Sequence, residues 1–149
     1  MVTNWIVAAI HLLALGIGLG AIWTRGRALR RLPDAVALRR ALAADAFWGI
    51  AALLWITTGV ARAFGGLEKG SAYYMSNGAF GIKMGLLGLI LLLEVWPMVT
   101  LIRWRLQLAR GAAVDTGHAR VFATISAAQA ALVVLMVFAA TAMARGIGA

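Results

Sequence analysis

This chain of 149 residues contains no cysteine, only two prolines and only five acidic residues. Without cysteine it can form neither a disulfide nor a cysteine-ligated metal centre, and thiol redox chemistry is excluded. Charged residues make up 13% of the chain, whereas hydrophobic residues make up 63%. Soluble domains carry about 25% charged residues, so this composition is typical of a membrane protein.

Four long apolar stretches account for the composition, over residues 2–24, 41–64, 79–102 and 121–144. A helix rises ~1.5 Å per residue and needs about 20 apolar residues to cross a ~30 Å hydrocarbon core, which each stretch supplies. The short links leave no room for a second core, so residues 1–149 should form one domain. We therefore predict an all-α integral membrane protein whose four helices pack as an up-down bundle.

Arginine is concentrated in two of the three links between the stretches. The arginines assigned to the first and third links are Arg25, Arg27, Arg30, Arg31, Arg39 and Arg40, and Arg103, Arg105, Arg110 and Arg120. Basic residues in short loops stay on the cytoplasmic side of a membrane. This predicts that both termini lie outside, N-out and C-out. Because the net charge of +9 comes mainly from these links, we expect no nucleic-acid partner.

Aromatic residues fall near the predicted membrane interfaces, as aromatic belts require. Those near the inner interface are Trp23, Trp48, Trp96 and Trp104, and those near the outer one are Trp5, Tyr73 and Tyr74. Small residues four apart permit close approach of helices in lipid. Such pairs are Gly16 and Gly20, Gly81 and Gly85, and Ala127 and Ala131, and we expect them to support compact packing.

Three polar side chains fall near the outer ends of the stretches. His11 lies about two turns into the first stretch, Lys83 about one turn into the third, and Arg62 closes the second. Charged groups at membrane depth cost about 2.5–3.5 kcal/mol and usually face the bundle interior. We predict that these three residues form a cofactor-binding site. The structural alternatives are a hydrogen-bonded core histidine and a lysine that snorkels to the headgroups.

Glu94 of the third stretch and Gln129 of the fourth fall at a similar level in the inner half. Burial favours the neutral acid, so Glu94 is expected to donate a hydrogen bond to Gln129. Two interpretations stay open for this pair, structural stabilisation and a proton-relay or ligand-binding role. Asp45 falls at the inner start of the second stretch, where we expect an interfacial residue close to the link arginines.

The link after the second stretch contains a recognisable motif. It reads Glu68-Lys69-Gly70, Tyr73-Tyr74 and Ser76-Asn77, followed by Phe80 and Lys83. This segment resembles the hallmark of an uncharacterised bacterial membrane family, domain of unknown function 2214, and the closing segment 143–146 resembles that family's C-terminal end. The resemblance covers nearly the whole chain and implies a four-helix membrane fold with no established activity. His11 falls where the family's first helix carries histidine, often as a pair.

His11 and Lys83 are also distantly similar to HemJ-type protoporphyrinogen oxidases and CopD-like membrane proteins. This similarity implies haem or porphyrin handling, with haem b as the cofactor. Glu94 stands where the HemJ pattern has a further histidine. The other histidine of the chain, His118, falls at the opposite side of the membrane, which argues against bis-histidine ligation and against a metal site. The second ligand of a haem held by His11 would then be Met84, or that position would stay open.

Two functional hypotheses remain for this multi-pass protein of the bacterial inner membrane. The first is a scaffold or accessory subunit that packs against other membrane subunits or a second copy, with no pocket beside His11. The second is a haem- or porphyrin-associated redox protein that uses His11 and Lys83 in an outward-facing cleft. Whether the chain is an enzyme stays open. In both cases the lipid bilayer surrounds it.

Overall fold

The computed structural model describes the backbone of residues 2–66 and 71–147, and over these residues the chain is all-α. The helices are α1 (Val2–Leu29), α2 (Ala35–Phe64), α3 (Ser71–Ser76), α4 (Gly78–Ala109) and α5 (Ala119–Ala144). All of them except the short α3 are long and apolar enough to cross a membrane. The prediction of an all-α fold with four membrane-spanning helices is confirmed.

The long helices extend beyond their apolar stretches into the arginine-rich segments. The prediction that these arginines lie in links is therefore wrong for seven of them, which are helical: Arg25, Arg27, Arg39, Arg40, Arg103, Arg105 and Arg120. Arginine is a good helix former, so a helix need not end where its apolar stretch ends. The carboxylate of Asp34 caps α2 by accepting a hydrogen bond of 2.9 Å from the Ala37 N–H.

The four long helices form an antiparallel bundle. α1 packs along α2 and α5, α4 packs along α5, and α2 approaches α4 only briefly. We call the end where α1 begins and α5 ends the terminus end, and the end where α1 ends and α2 begins the arginine end. The brief contact of α2 with α4 makes this the most loosely packed seam between neighbouring helices.

Two apolar clusters fill the bundle between the arginine end and its middle. The first contains Leu29, Leu101, Trp104 and Phe122, and the second contains Ile22, Trp48, Ile90, Val133 and Met136. Trp48 and Trp104 are buried inside the bundle, so they are not part of an exposed aromatic belt. Their rings fill space between helices, whereas Trp23 and Trp96 are more than half and about half exposed.

The glycines that allow close helix packing are not the predicted ones. A Cβ at Gly18 would lie 3.4 Å from the Ala51 Cβ, and one at Gly26 would lie 3.2 Å from the Ser126 Cβ. No side chain or neighbouring helix lies within 4 Å of the Cβ positions at Gly16 and Gly20, or at Gly81 and Gly85. These two pairs face away from the bundle, and Ala131 is likewise exposed. The expectation that they support packing within the chain is wrong, because helix rotation places them outside.

Candidate functional site

A cavity of about 470 Å³ lies inside the terminus half of the bundle. All four long helices contribute to its walls, and it extends from the level of Leu15 and Leu87 to the helix ends at Phe64 and Ala144. Most of the lining is aliphatic or aromatic. Its volume falls within the range of about 300–1,000 Å³ that is usual for small-molecule sites.

The structure brings the three predicted site residues to this one cavity. His11 of α1, Arg62 of α2 and Lys83 of α4 all line it, as does Met84. His11 is buried, whereas Arg62 and Lys83 are partly exposed. Among the described residues that line the cavity none is acidic. The cavity therefore combines apolar walls with two cationic groups, although the cofactor-binding role of the three residues stays a prediction.

The hydrogen bond between His11 and Thr58 assigns the imidazole tautomer. The Thr58 hydroxyl donates to the Leu54 carbonyl at 2.6 Å, so its oxygen must accept at the 2.9 Å contact with His11 Nδ1. Nδ1 therefore carries the proton of the neutral ring. Nε2 is then the nitrogen with the lone pair, the atom that can accept a hydrogen bond or ligate a metal.

Trp55 and Gly59 of α2 fix the position of the His11 ring. The indole of Trp55 stacks on the imidazole with ring centroids 5.6 Å apart and 23° between the planes. A Cβ at Gly59 would lie 3.3 Å from His11 Cε1, so only glycine leaves the ring its present space. Both residues line the cavity, and the Trp55 Nε1–H is buried with no hydrogen-bond partner among the described residues. A buried donor of this kind is rare in proteins.

Asn77 of the loop motif has a clear structural role. Asn77 is buried and caps α4, because its Oδ1 accepts hydrogen bonds from the Ala79 and Phe80 N–H groups at 2.9 and 3.3 Å. Phe80 in turn lines the cavity. Glu68 and Lys69 lie outside the described residues, and so do the side chains of Tyr73 and Tyr74. Asn77 thus sets the start of the helix that carries Lys83.

A second polar site lies deeper in the bundle, towards the arginine end, and is centred on Arg25. This side chain is fully buried, and all five of its N–H groups donate to side chains of the other three long helices. Nε donates to Ser126 Oγ at 3.1 Å, and Nη1 donates to Asp45 Oδ1 at 2.8 Å. Nη1 and Nη2 donate to the two Glu94 oxygens at 2.7 and 2.8 Å, and Nη2 also donates to Gln129 Oε1 at 2.9 Å.

Arg105 completes this polar cluster and balances its charge. Its Nη2 donates to Asp45 Oδ2 at 2.8 Å and to the Leu42 carbonyl at 2.6 Å. Two guanidinium groups therefore face two carboxylates, and the formal charges of Arg25, Asp45, Glu94 and Arg105 cancel. A buried ion pair is tolerated in an apolar interior when its donors and acceptors are satisfied in this way.

Glu94 and Gln129 do interact, but not as predicted. Gln129 Nε2 donates to Glu94 Oε2 at 2.7 Å, so Glu94 is the acceptor and not the donor. Both carboxylate oxygens face the Arg25 guanidinium, which is the arrangement of an ionised acid. The prediction of a neutral Glu94 that donates to Gln129 is wrong because it overlooked the buried cation. Of the two interpretations left open, this geometry favours structural stabilisation.

Comparison with known proteins identifies the family of this chain. A family model described as "Predicted membrane protein (DUF2214)" matches residues 3–148, nearly the whole chain. The chain belongs to the DUF2214 family. No curated protein and no solved structure matches this DUF2214 chain, so the more distant similarity to HemJ-type and CopD-like proteins finds no support there.

The second histidine of this DUF2214 chain is remote from the cavity. His118 directly precedes α5 at the arginine end and is exposed, and its ring centroid lies 5.4 Å from that of Trp96. His11 lies in the terminus half, so the two rings occupy opposite halves of the bundle.

Sequence reasoning missed Arg25 and Trp55 in the DUF2214 chain. Arg25 follows the first apolar stretch directly and was counted with the link arginines. The signal that could have found it is the presence of Asp45 and Glu94 inside apolar stretches, since buried carboxylates need a cationic partner. No sequence pattern marks Trp55, because its role depends on the side chain of another helix.

Proposed function

We propose that this DUF2214 protein is a membrane-embedded binding protein whose cavity takes an amphiphilic molecule with an acidic group. The observation that carries the proposal is the meeting of His11, Arg62 and Lys83 at one largely apolar cavity. Apolar walls suit a hydrophobic body, and the two cationic groups suit carboxylate or phosphate oxygens. The brief contact between α2 and α4 supports entry from the side.

Haem b, or a related porphyrin, is the specific candidate for this ligand. A porphyrin has an apolar ring and two propionates, and haem iron accepts a histidine nitrogen as an axial ligand. The residues present fit such a group in their chemistry, because an imidazole nitrogen ligates haem iron and the cations of Arg62 and Lys83 match the charge of the propionates. Met84 also lines the cavity and offers a thioether. Haem would supply one-electron redox chemistry there.

A scaffold or accessory role in a membrane complex is the second candidate. Its support is two pairs of outward-facing glycines, Gly16 and Gly20, and Gly81 and Gly85. No side chain or neighbouring helix lies within 4 Å of a Cβ placed at any of them. Small residues on an exposed helix face let a partner helix come close in lipid. Another subunit or a second copy of this chain would use these faces. This candidate predicted no pocket beside His11, and the cavity there counts against it.

We further propose that the protein lies in the bacterial inner membrane with both termini outside. The support is the asymmetry between the two ends of the bundle, since the arginine end holds Arg27, Arg30, Arg31, Arg110 and Arg120 on its surface. Basic side chains near short loops remain on the cytoplasmic side. The cavity would then face the periplasmic half of the bilayer.

Native mass spectrometry and absorption spectroscopy of the protein purified in mild detergent test these proposals together. We expect a co-purified acidic amphiphile whose occupancy falls several-fold in Arg62→Gln and Lys83→Gln. Arg145→Gln is the control, because it removes a cation from the terminus end that does not line the cavity. It should leave the occupancy of the ligand unchanged.

The spectrum separates the candidates. A Soret band that disappears in His11→Ala supports haem, whereas a bound acidic amphiphile without a Soret band supports the binding function and excludes haem. A colourless protein that carries no ligand and binds no added haem b contradicts the binding function and favours the scaffold.

A further inference from the structure

We infer that a groove at the arginine end, between α1 and α5, binds the phosphate of an anionic phospholipid. The groove has a volume of about 420 Å³ and is separate from the cavity beside His11. Three arginines line it, Arg27, Arg30 and Arg31, together with Trp23 and a floor of small residues. Basic pockets between membrane helices are known sites for acidic lipid headgroups.

The groove exists because small residues lie where α1 meets α5. A Cβ at Gly26 would lie 3.2 Å from the Ser126 Cβ and 3.4 Å from the Ala123 carbonyl oxygen, so the two helices are in close contact here. Ala123 and Ala127 of α5 form the rest of the floor. Larger side chains at these positions would fill the space that a headgroup and the start of an acyl chain require.

The three groove arginines differ from the two in the polar cluster. Arg25 and Arg105 donate to carboxylates inside the bundle. Arg27, Arg30 and Arg31 are exposed, and none of them donates to or pairs with another side chain in the described part of the chain. A guanidinium group offers paired N–H donors that match phosphate oxygens. Three such groups around one groove create a site for a phosphate.

Trp23 places the groove at headgroup depth. Its side chain is 56% exposed and lies one turn before Arg27 on α1. Exposed tryptophan beside arginine marks the boundary between hydrocarbon and headgroups. A phosphate held by the arginines would therefore lie at the level where phospholipids carry it, and the acyl chain would continue past Trp23 into the hydrocarbon.

A neighbouring groove of about 310 Å³ on the other side of α1 is a weaker candidate. It shares Arg27 and Arg31 and adds Arg40, but Asp34 also lines it. The Asp34 carboxylate caps α2 and would repel a phosphate placed there. Because an acidic residue lines only the second of these two grooves, we assign the headgroup to the groove between α1 and α5.

Lipid retention measured by native mass spectrometry tests the site. The full chain is exchanged into micelles that contain phosphatidylglycerol or phosphatidylethanolamine, and inorganic phosphate is titrated separately. We expect phosphatidylglycerol to be retained more strongly than either of the other probes. The triple variant Arg27→Gln, Arg30→Gln, Arg31→Gln should reduce that retention by about tenfold or more. Equal retention of both lipids, or binding of inorganic phosphate as tight as that of phosphatidylglycerol, would overturn the assignment.

A charge-matched triple variant controls for general electrostatics. Arg39→Gln, Arg103→Gln, Arg110→Gln removes three exposed arginines near the same end that line neither groove. It should reduce phosphatidylglycerol retention by less than about twofold, because charges distant from a bound group are screened. An equal loss in both triple variants would show non-specific attraction and would contradict the site.

A substitution that leaves every arginine in place provides an independent test. Ala127→Leu fills the groove, whereas Ala128→Leu adds the same side chain at the next position, which is exposed and outside the groove. We expect Ala127→Leu to lower phosphatidylglycerol retention several-fold and Ala128→Leu to leave it unchanged. Unchanged retention in both variants would show that no headgroup occupies the groove.

Discussion

The guanidinium of Arg25 and the carboxylate of Glu94 form a paired ion contact, with Nη1 to Oε1 at 2.7 Å and Nη2 to Oε2 at 2.8 Å. They belong to α1 and α4, which lie diagonally opposite in the bundle and make no backbone contact over the described residues. The pair therefore connects the two helices that packing alone leaves apart. With Asp45, Ser126 and Gln129 it fixes the rotation of all four long helices.

We expect Arg25→Gln to lower the free energy of unfolding by about 3–5 kcal/mol, because it leaves two carboxylates that are only 11% and 14% exposed without their main partner. Arg27→Gln is the matched control, since Arg27 lies two residues away on the same helix but is exposed. Its cost should stay within about 0.5 kcal/mol. Unfolding of both variants in detergent by heat or denaturant gives the comparison. Equal stability of the two variants would show that the polar cluster does not hold the bundle together.

We expect Gly59→Ala to displace the His11 ring by a few tenths of an ångström and to weaken haem b binding about tenfold. The added Cβ would lie 3.3 Å from His11 Cε1, and overpacking of this kind costs about 1–3 kcal/mol. Gly49→Ala on the same helix meets no neighbour within 4 Å and should leave binding unchanged. Titration of each purified variant with haem b measures the effect. The prediction fails if Gly59→Ala binds as tightly as the natural chain.

We expect Trp55→Phe to keep the bundle stable while weakening ligand binding by about 3–10-fold. Phenylalanine can still stack on His11, but it lacks the Nε1–H that is buried without a partner in the described structure. Removal of an unsatisfied buried donor is neutral or stabilising. The smaller ring, however, holds His11 less closely and so weakens binding at the cavity. Thermal unfolding with and without ligand separates the two effects. A variant that loses stability without ligand would contradict this assignment of the indole.

The absence of cysteine permits a direct test of topology. Ile147→Cys and Ala113→Cys place single thiols at exposed positions of the terminus end and the arginine end. We expect a membrane-impermeant maleimide to label Ile147→Cys in intact spheroplasts and Ala113→Cys only after permeabilisation, because the arginine-rich end stays inside. The reverse labelling pattern would place the cavity in the cytoplasmic half.

The sequence alone was sufficient for the membrane class, the number of spanning helices and the family, because each rests on local length, apolarity or motif. It also singled out His11, Arg62 and Lys83, since polar groups are rare at membrane depth. The tertiary structure alone decided that these three share a cavity and that Trp55 and Gly59 position the histidine. It also decided that Arg25 lies in the core and that the predicted glycine pairs face away from the bundle. These features depend on how four separate helices rotate against one another, and local sequence periodicity does not specify that rotation.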